Sequence, residues 1–158
     1  MVGIGYDVHK LHKGESLVLG GIDIDSPLGT IAHSDGDVIL HALCDALFGA
    51  AGLGDIGEHF PDTDPRFKNA PSKVFLEYAI ALLREHGYKP VNIDISLILE
   101  APKIKPYKDA MRKEIASLCN LPYQRVSVKA TTNEKIGFAG RLEGVAAMCV
   151  CMIESIHE

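Results

Sequence analysis

Tryptophan is absent, and the aromatic content is limited to five tyrosines and five phenylalanines in 158 residues. The core must therefore rest on Ile, Leu, Val and Ala, in a chain that is 47% apolar. One compact domain spanning residues 1–158 is expected. An excess of positive charge is also lacking. The formal net charge is −5, which argues against a phosphate-backbone binder, because such proteins need a clustered positive field. A small anionic substrate is still allowed, since a bound cation can neutralise it locally. Cysteine is scarce. Cys44, Cys119, Cys149 and Cys151 form no C-x-x-C pair, so they read as small buried apolar residues in a reducing compartment. No apolar run approaches the ~20 residues that span a bilayer. No secretory signal or transit peptide precedes the first strand-like segment, and a cytoplasmic location is expected.

Val2, Ile4, Tyr6 and Val8 alternate with Gly3, Gly5, Asp7 and His9, the period of two that marks a strand with one apolar face. Leu17–Leu19 and Ile22–Ile24 flank Gly20-Gly21 and predict a hairpin. Pro27-Leu28-Gly29 reads as a turn. Ser34 or Asp35 is placed to cap a helix that runs to about Phe48 and stops at Gly49 and Gly52. The polar segment from Gly54 to Pro71 reads as a long loop of the functional or mobile kind. Ser72 is expected to cap a second helix with Val74, Phe75, Tyr78, Ala79, Leu82 and Leu83 as its apolar stripe, ended by Gly87. A strand follows over Val91 to Leu99, then a helix with Met111, Ile115 and Leu118 on one side, and strands over Val126–Thr131 and Gly144 to Ile153 with a Gly-rich turn between them. Strands alternating with helices predict an α/β or α+β class. The last strand is apolar on both faces, and the chain has no spare helices to cover the second, so a homo-oligomer is expected.

Asp7 and His9 are two apart on a strand and leave the same face, with Gly3 and Gly5 as neighbours that leave space. They can share one ion. A third ligand must come from elsewhere, and His41 is the best candidate, mid-helix with Asp37 and Asp45 one turn away on either side. Two imidazole nitrogens and one carboxylate oxygen suit Zn²⁺ with a position open for substrate. His12, His59, His86 and His157 lie in segments read as exposed.

Several longer motifs add to these residues. They are Gly5-Tyr6-Asp7-Val8-His9, Ala32-His33-Ser34-Asp35-Gly36-Asp37, His41-Ala42-Leu43-Cys44-Asp45-Ala46-Leu47 and Gly54-Asp55-Ile56-Gly57, followed by Phe60-Pro61-Asp62-Thr63-Asp64-Pro65, Lys129-Ala130-Thr131-Thr132-Asn133-Glu134-Lys135 and Gly140-Arg141-Leu142-Glu143-Gly144. In order and spacing they resemble the 2-C-methyl-D-erythritol 2,4-cyclodiphosphate synthases of the non-mevalonate isoprenoid route, over almost the whole chain. A bifunctional relative carries an added cytidylyltransferase domain, for which this chain is too short. The resemblance implies a homotrimer in which each subunit turns a four-stranded mixed sheet to the centre, with about three helices on the outer face and a small hairpin, and with active sites at subunit interfaces. It implies a phosphorus–oxygen lyase whose substrate is cytidine diphospho-methylerythritol 2-phosphate and whose products are CMP and the cyclic diphosphate.

The residue roles follow from the same resemblance. Asp7, His9 and His41 would hold Zn²⁺ (or Mn²⁺/Co²⁺), and Glu134 a Mg²⁺ or Mn²⁺ bridging the α- and β-phosphates. His33 and Thr132 would stabilise the pentavalent phosphorus, with Ser34 beside them at a helix start that can grip phosphate oxygen. Asp7, Val8 and His9 also fall within the substrate-binding motif. Asp55, Ile56 and Gly57 with Phe60, Pro61, Asp62, Thr63 and Asp64 would hold the methylerythritol, whose hydroxyls donate to carboxylates. Leu99, Glu100, Ala101, Pro102, Lys103, Ile104 and Lys105 would surround cytosine from a neighbouring subunit, largely through main chain. Thr131, Thr132, Asn133 and Glu134 would contact the diphosphate. Phe138 and Arg141 would lie near the trimer axis with Tyr6 and Glu143, where relatives can take an isoprenoid diphosphate. Leu142 stands where relatives often have Gly, Tyr6 where they have Phe and Asn133 where they have Thr. These departures leave the catalytic set intact and weaken the expectation of isoprenoid feedback.

Overall fold

The computed structural model describes residues 1–156, so the expectation for His157 lies outside the described residues. In chain order the elements are β1 (Val2–Lys13), β2 (Leu17–Leu19), β3 (Ile22–Ile24), β4 (Leu28–Ile31), α1 (Val38–Ala51), the short α2 (Ile56–His59), α3 (Ser72–Glu85), β5 (Tyr88–Ile98), α4 (Lys108–Cys119), β6 (Val126–Thr131), the short α5 (Gly137–Gly140) and β7 (Gly144–Ser155). The class is mixed α+β, as expected. Five strands form one mixed sheet in the order β4-β1-β7-β5-β6, and β2 and β3 form the predicted hairpin. Gly20 and Gly21 both have positive φ there (60° and 76°), as a two-residue turn of this twist requires.

The sheet has five strands where four were expected, because Leu28–Ile31 is a strand rather than part of a turn. β1 runs on to Lys13, and its far half pairs with β4 from Lys10↔Ile31 to Lys13↔Leu28. The four residues are too few to establish an alternation. Gly29 among them serves a close approach: a Cβ there would lie 2.1 Å from the Glu15 carbonyl oxygen. β7 pairs antiparallel with β1 on one side and with β5 on the other, whereas β5 and β6 are parallel and joined through α4.

The faces of β1 reverse one expectation. Gly3 and Gly5 do not leave space beside Asp7. A Cβ on Gly3 would lie 1.9 Å from the Ala46 carbonyl oxygen, and one on Gly5 would lie 1.8 Å from that of Ala42. The backbone of α1 fills the position, along the ridge of Ala42, Ala46 and Ala50 that recurs every four residues. The apolar alternants Val2, Ile4, Tyr6 and Val8 point the other way and are exposed, Ile4 by 64%. Met148, Val150 and Met152 of β7 share that open face. Val145, Ala147, Cys149, Cys151 and Ile153 of β7 face inward and are buried, with Ile93, Ile95 and Leu97 of β5 beside them.

Helix α1 is buried on almost every side, between the sheet and α3. Its cap is Asp37, not Ser34 or Asp35. The Asp37 carboxylate accepts from the amides of Ile39 and Leu40 at 3.1 Å, of Gly20 at 2.9 Å and of Gly21 at 2.7 Å. It thus ties the hairpin to the helix start. Burial pushes this carboxyl up to about 6, against the pull of its amide donors. Gly49 lies inside the helix, which ends at Gly52 in the left-handed conformation. Ser72 is the first residue of α3 rather than its cap, a position taken by Pro71. The expected loop from Gly54 to Pro71 contains α2 and a 3₁₀ turn at Pro65–Phe67. His59 is half-buried rather than exposed: it stacks on Phe48 with ring centroids 4.2 Å apart and meets the Leu53 carbonyl at 2.8 Å. His12 and His86 are exposed, as read. All four cysteines are free and buried, and burial pushes their thiols up. Among the described residues no helix is long and apolar enough to cross a membrane.

Gly5→Ala forces a side chain into helix backbone that cannot rotate away. It is expected to lower stability by about 3 kcal/mol or more, at the upper end of overpacking effects, read as a drop in the urea midpoint.

Candidate metal centre and cleft

β1 carries Asp7 and His9 on the same face as Gly3 and Gly5, so the helix that docks on the glycines reaches the next two side chains as well. His41 is the residue before Ala42 in α1, and it arrives there. Asp7 Oδ2 lies 3.0 Å from His9 Nε2 and 3.1 Å from His41 Nδ1, and the two nitrogens are 3.1 Å apart. Tetrahedral coordination at ~2.0–2.1 Å sets ligand atoms roughly 3.3–3.4 Å apart, so the triangle fits one such ion with a small expansion. The donor set is two imidazole nitrogens and one carboxylate, all partly buried. Burial pushes Asp7 up, but the His41 and His9 imidazoles beside it outweigh that and hold the carboxyl well below the usual carboxylate range. It is therefore ionised and ready to ligate. On its far side, His41 Nε2 is 2.8 Å from Ser72 Oγ and 3.1 Å from Ser34 Oγ.

The triangle opens on a cleft of about 620 Å³. Its walls include His9, His33, Ser34, His41, Ile56, Gly57, Phe60, Pro61, Asp62 and Thr63, which the sequence had grouped together, plus Phe67 and Phe75, which it had not. Phe75 read only as part of a core stripe; it tilts against His41 at 5.9 Å and against Phe60 at 4.5 Å. His33 Nε2 is 3.1 Å from the Asp64 carbonyl oxygen and joins the two loops at the mouth. Other expected residues sit differently. Val8 points to the open sheet face. Asp55 caps α2 by accepting from Glu58 N at 3.0 Å. Asp64 pairs with Arg66. Asp37 and Asp45 do not serve His41: the first caps α1, and the second accepts from Ile56 N at 2.8 Å.

The YgbB family profile matches residues 1–154. The chain belongs to the YgbB family. The YgbB relatives include the 2-C-methyl-D-erythritol 2,4-cyclodiphosphate synthase of Chlorobaculum tepidum, 55% identical over 98% of each chain. A solved 2C-methyl-D-erythritol-2,4-cyclodiphosphate synthase in its CDP-bound form superimposes with a TM-score of 0.90 at 42% identity, covering 98% of this chain and 100% of that one. The bifunctional IspDF from Campylobacter jejuni gives a TM-score of 0.94 at 47% identity over 98% of this chain and 42% of that longer one.

A second group in this YgbB chain forms a cluster of its own. Leu99 N donates to the Thr131 carbonyl at 3.0 Å and Asn133 N to Glu100 Oε2 at 3.1 Å, which brings the segment from Leu99 to Lys105 against Thr131–Glu134. Ala101-Pro102 is a cis peptide, and Leu99 and Ile104 bury their side chains in the core, so only their main chain is available to a ligand. Thr131, Thr132, Asn133 and Glu134 are exposed, as are Phe138 and Arg141. None of this group lines the cleft, and Glu134 is not among the described residues gathered at the Asp7 triangle. Besides Phe67 and Phe75, sequence reasoning missed the part of Ser72 and Asp35, which lie behind His41. Nothing in the spacing of a residue at position 72 signals contact with one at 41.

Titration of metal-free protein with Zn²⁺ is expected to give one tight site per chain. His9→Ala is expected to weaken that site by at least ~100-fold while leaving the circular dichroism spectrum unchanged, since it removes one of three protein ligands.

Proposed function

We propose that the cleft converts 4-diphosphocytidyl-2-C-methyl-D-erythritol 2-phosphate into 2-C-methyl-D-erythritol 2,4-cyclodiphosphate and CMP, a step of non-mevalonate isoprenoid biosynthesis. The observation that carries this is the open Asp7–His9–His41 triangle at a cleft, in a chain matched end to end by synthases of this name. An oxygen of the 2-phosphate attacks the β-phosphorus. The bond from that phosphorus to the oxygen bridging the α-phosphate breaks, and the oxygen leaves with CMP. A phosphate monoester has its second pKa at about 6 and is largely dianionic near neutral pH, so no side chain need act as base. What remains is repulsion between phosphates and the entropy of ring closure.

When bound, Zn²⁺ (or Mn²⁺/Co²⁺) on Asp7, His9 and His41, with Mg²⁺ or Mn²⁺ at Glu134, supplies Lewis-acid neutralisation of the diphosphate. The side chains do the rest. His33 gives its Nε2 hydrogen to the Asp64 carbonyl, which fixes the ring at the cleft mouth, where it stabilises the reacting phosphorus. Ser34 adds a hydroxyl beside it. Phe60, Phe67 and Phe75 form an apolar wall that excludes water from the carbon skeleton, and Asp62 accepts from its hydroxyls. Thr132 takes the equatorial oxygens, Thr131, Asn133 and Glu134 hold the diphosphate, and Leu99 to Lys105 hold cytosine. Because this second group does not line the cleft of its own chain, each site is completed by a neighbouring protomer.

The chain thus acts as one domain of a cytoplasmic homotrimer, a phosphorus–oxygen lyase. The support for the trimer is the contiguous apolar face of Val2, Ile4, Tyr6, Val8, Met148, Val150 and Met152, which a lone chain leaves in water. Phe138 and Arg141 lie toward its axis, where an isoprenoid diphosphate could sit.

Incubation with the nucleotide substrate and Mg²⁺ is expected to release CMP and cyclic diphosphate in equal amounts. Release of inorganic phosphate instead would mark a metal phosphohydrolase. His41→Ala is expected to lower kcat by several orders of magnitude, and near-normal turnover of that variant after chelation would rule out the proposed mechanism. Sedimentation is expected to give three times the chain mass of 17.1 kDa, and Ile4→Asp combined with Val150→Asp to give the single chain.

A further inference from the structure

Ser72 is fully buried at the first position of α3, and Asp35 lies in the loop before α1. Neither has a part in the reaction scheme, yet together they stand directly behind a metal ligand. Asp35 is held on both oxygens by main chain: Oδ1 accepts from Asp37 N at 3.1 Å and Oδ2 from Ser72 N at 3.0 Å. Its Oδ1 also accepts the hydroxyl hydrogen of Ser72. A hydroxyl has one hydrogen. With that hydrogen committed to a carboxylate, Ser72 Oγ can offer His41 Nε2 only lone pairs, across 2.8 Å. His41 must then be the donor at Nε2.

The consequence is felt at the other nitrogen. A neutral imidazole with its hydrogen on Nε2 leaves Nδ1 with a bare lone pair, and Nδ1 is the atom 3.1 Å from both Asp7 Oδ2 and His9 Nε2. Ser34 Oγ also reaches His41 Nε2, at 3.1 Å. It accepts from Gly36 N, and its own hydrogen is uncommitted, so Ser34 can serve either tautomer and selects neither. Only Ser72, with its hydrogen fixed by Asp35, makes the choice.

We propose that Asp35 and Ser72 are positioning residues for the metal: they lock His41 in the Nε2–H tautomer and aim its Nδ1 lone pair at the point shared with Asp7 and His9. The inference rests on the metal reading of that triangle. Outer hydrogen-bond partners of this kind typically change metal affinity ~10–100-fold when removed.

The test is Zn²⁺ affinity of the purified full chain, measured without substrate by competition with a chromophoric chelator, with the Co²⁺ absorption spectrum as a second readout. Ser72→Ala is expected to weaken Zn²⁺ by ~10–100-fold and to shift the Co²⁺ bands. At saturating Zn²⁺ it is expected to recover kcat to within a few-fold, with KM unchanged. Ser34→Ala is expected to keep Zn²⁺ affinity within about threefold. Independently of any variant, ¹⁵N-histidine NMR of the Zn²⁺-loaded parent is expected to show His41 carrying a slowly exchanging Nε2–H. If the parent binds no Zn²⁺, the metal reading falls and the relay with it. If the parent binds but Ser72→Ala binds equally well, or the parent's His41 carries its hydrogen on Nδ1 or exchanges it freely, the relay alone falls.

Discussion

The site depends on how closely one helix can lie on one strand. Gly3 and Gly5 have no side chains, so the backbone of α1 settles onto β1 with the carbonyls of Ala46 and Ala42 where Cβ atoms would otherwise stand. Asp7 and His9 continue the same strand face, and His41 precedes Ala42 on the helix. Once the glycine–alanine contact is made, the three side chains have little freedom left in where they can be. A methyl group at Gly5 would lift the helix by more than the few tenths of an ångström that separate the observed triangle from ideal coordination. Packing here sets chemistry directly, because dense interiors transmit displacement rather than absorb it.

The polar groups at the start of α1 fix the direction that packing leaves open. Asp37 draws the hairpin glycines and the first helical amides to one carboxylate. Two residues earlier, Asp35 joins that start to the first turn of α3 through Ser72. The loop before α1 therefore connects the hairpin, His41 and α3 in three residues, and His33 and Ser34 are carried to the cleft on the same short segment. An apolar substitute for this network could match its burial but could not assign a hydrogen to one nitrogen of an imidazole.

The sheet divides the molecule into a half that is complete and a half that is not. Its inner face is packed by helices and holds the cleft. Its outer face presents β1 and β7 as apolar surface, and the segments expected to meet cytosine and the diphosphate cluster away from the cleft. A single reading covers both facts, in which neighbours bury the open face and bring the second cluster to the first.

Local patterns in the sequence determined a good deal. Alternation along Val2 to His9 and along Val91 to Leu99, the Gly20-Gly21 turn and the apolar stripe of Met111 and Ile115 are properties of a few adjacent residues, and the strands, hairpin and helix followed from them. Asp7 and His9 were paired by the period of a strand alone. The motif order identified the family, and with it His33 and the Phe60 to Thr63 wall. Tertiary structure decided the rest, because it turns on what approaches from far along the chain. No pattern in Leu28–Ile31 marks a fifth strand; the extended tail of β1 makes it one. Gly3 and Gly5 read as room for a ligand until a helix filled them. Ser72 read as a cap, and its role depends on an aspartate 37 positions earlier and a histidine 31 positions earlier. Sequence fixes which groups are available and which face of an element they leave; which of them meet depends on close approach between elements that sequence spacing does not encode.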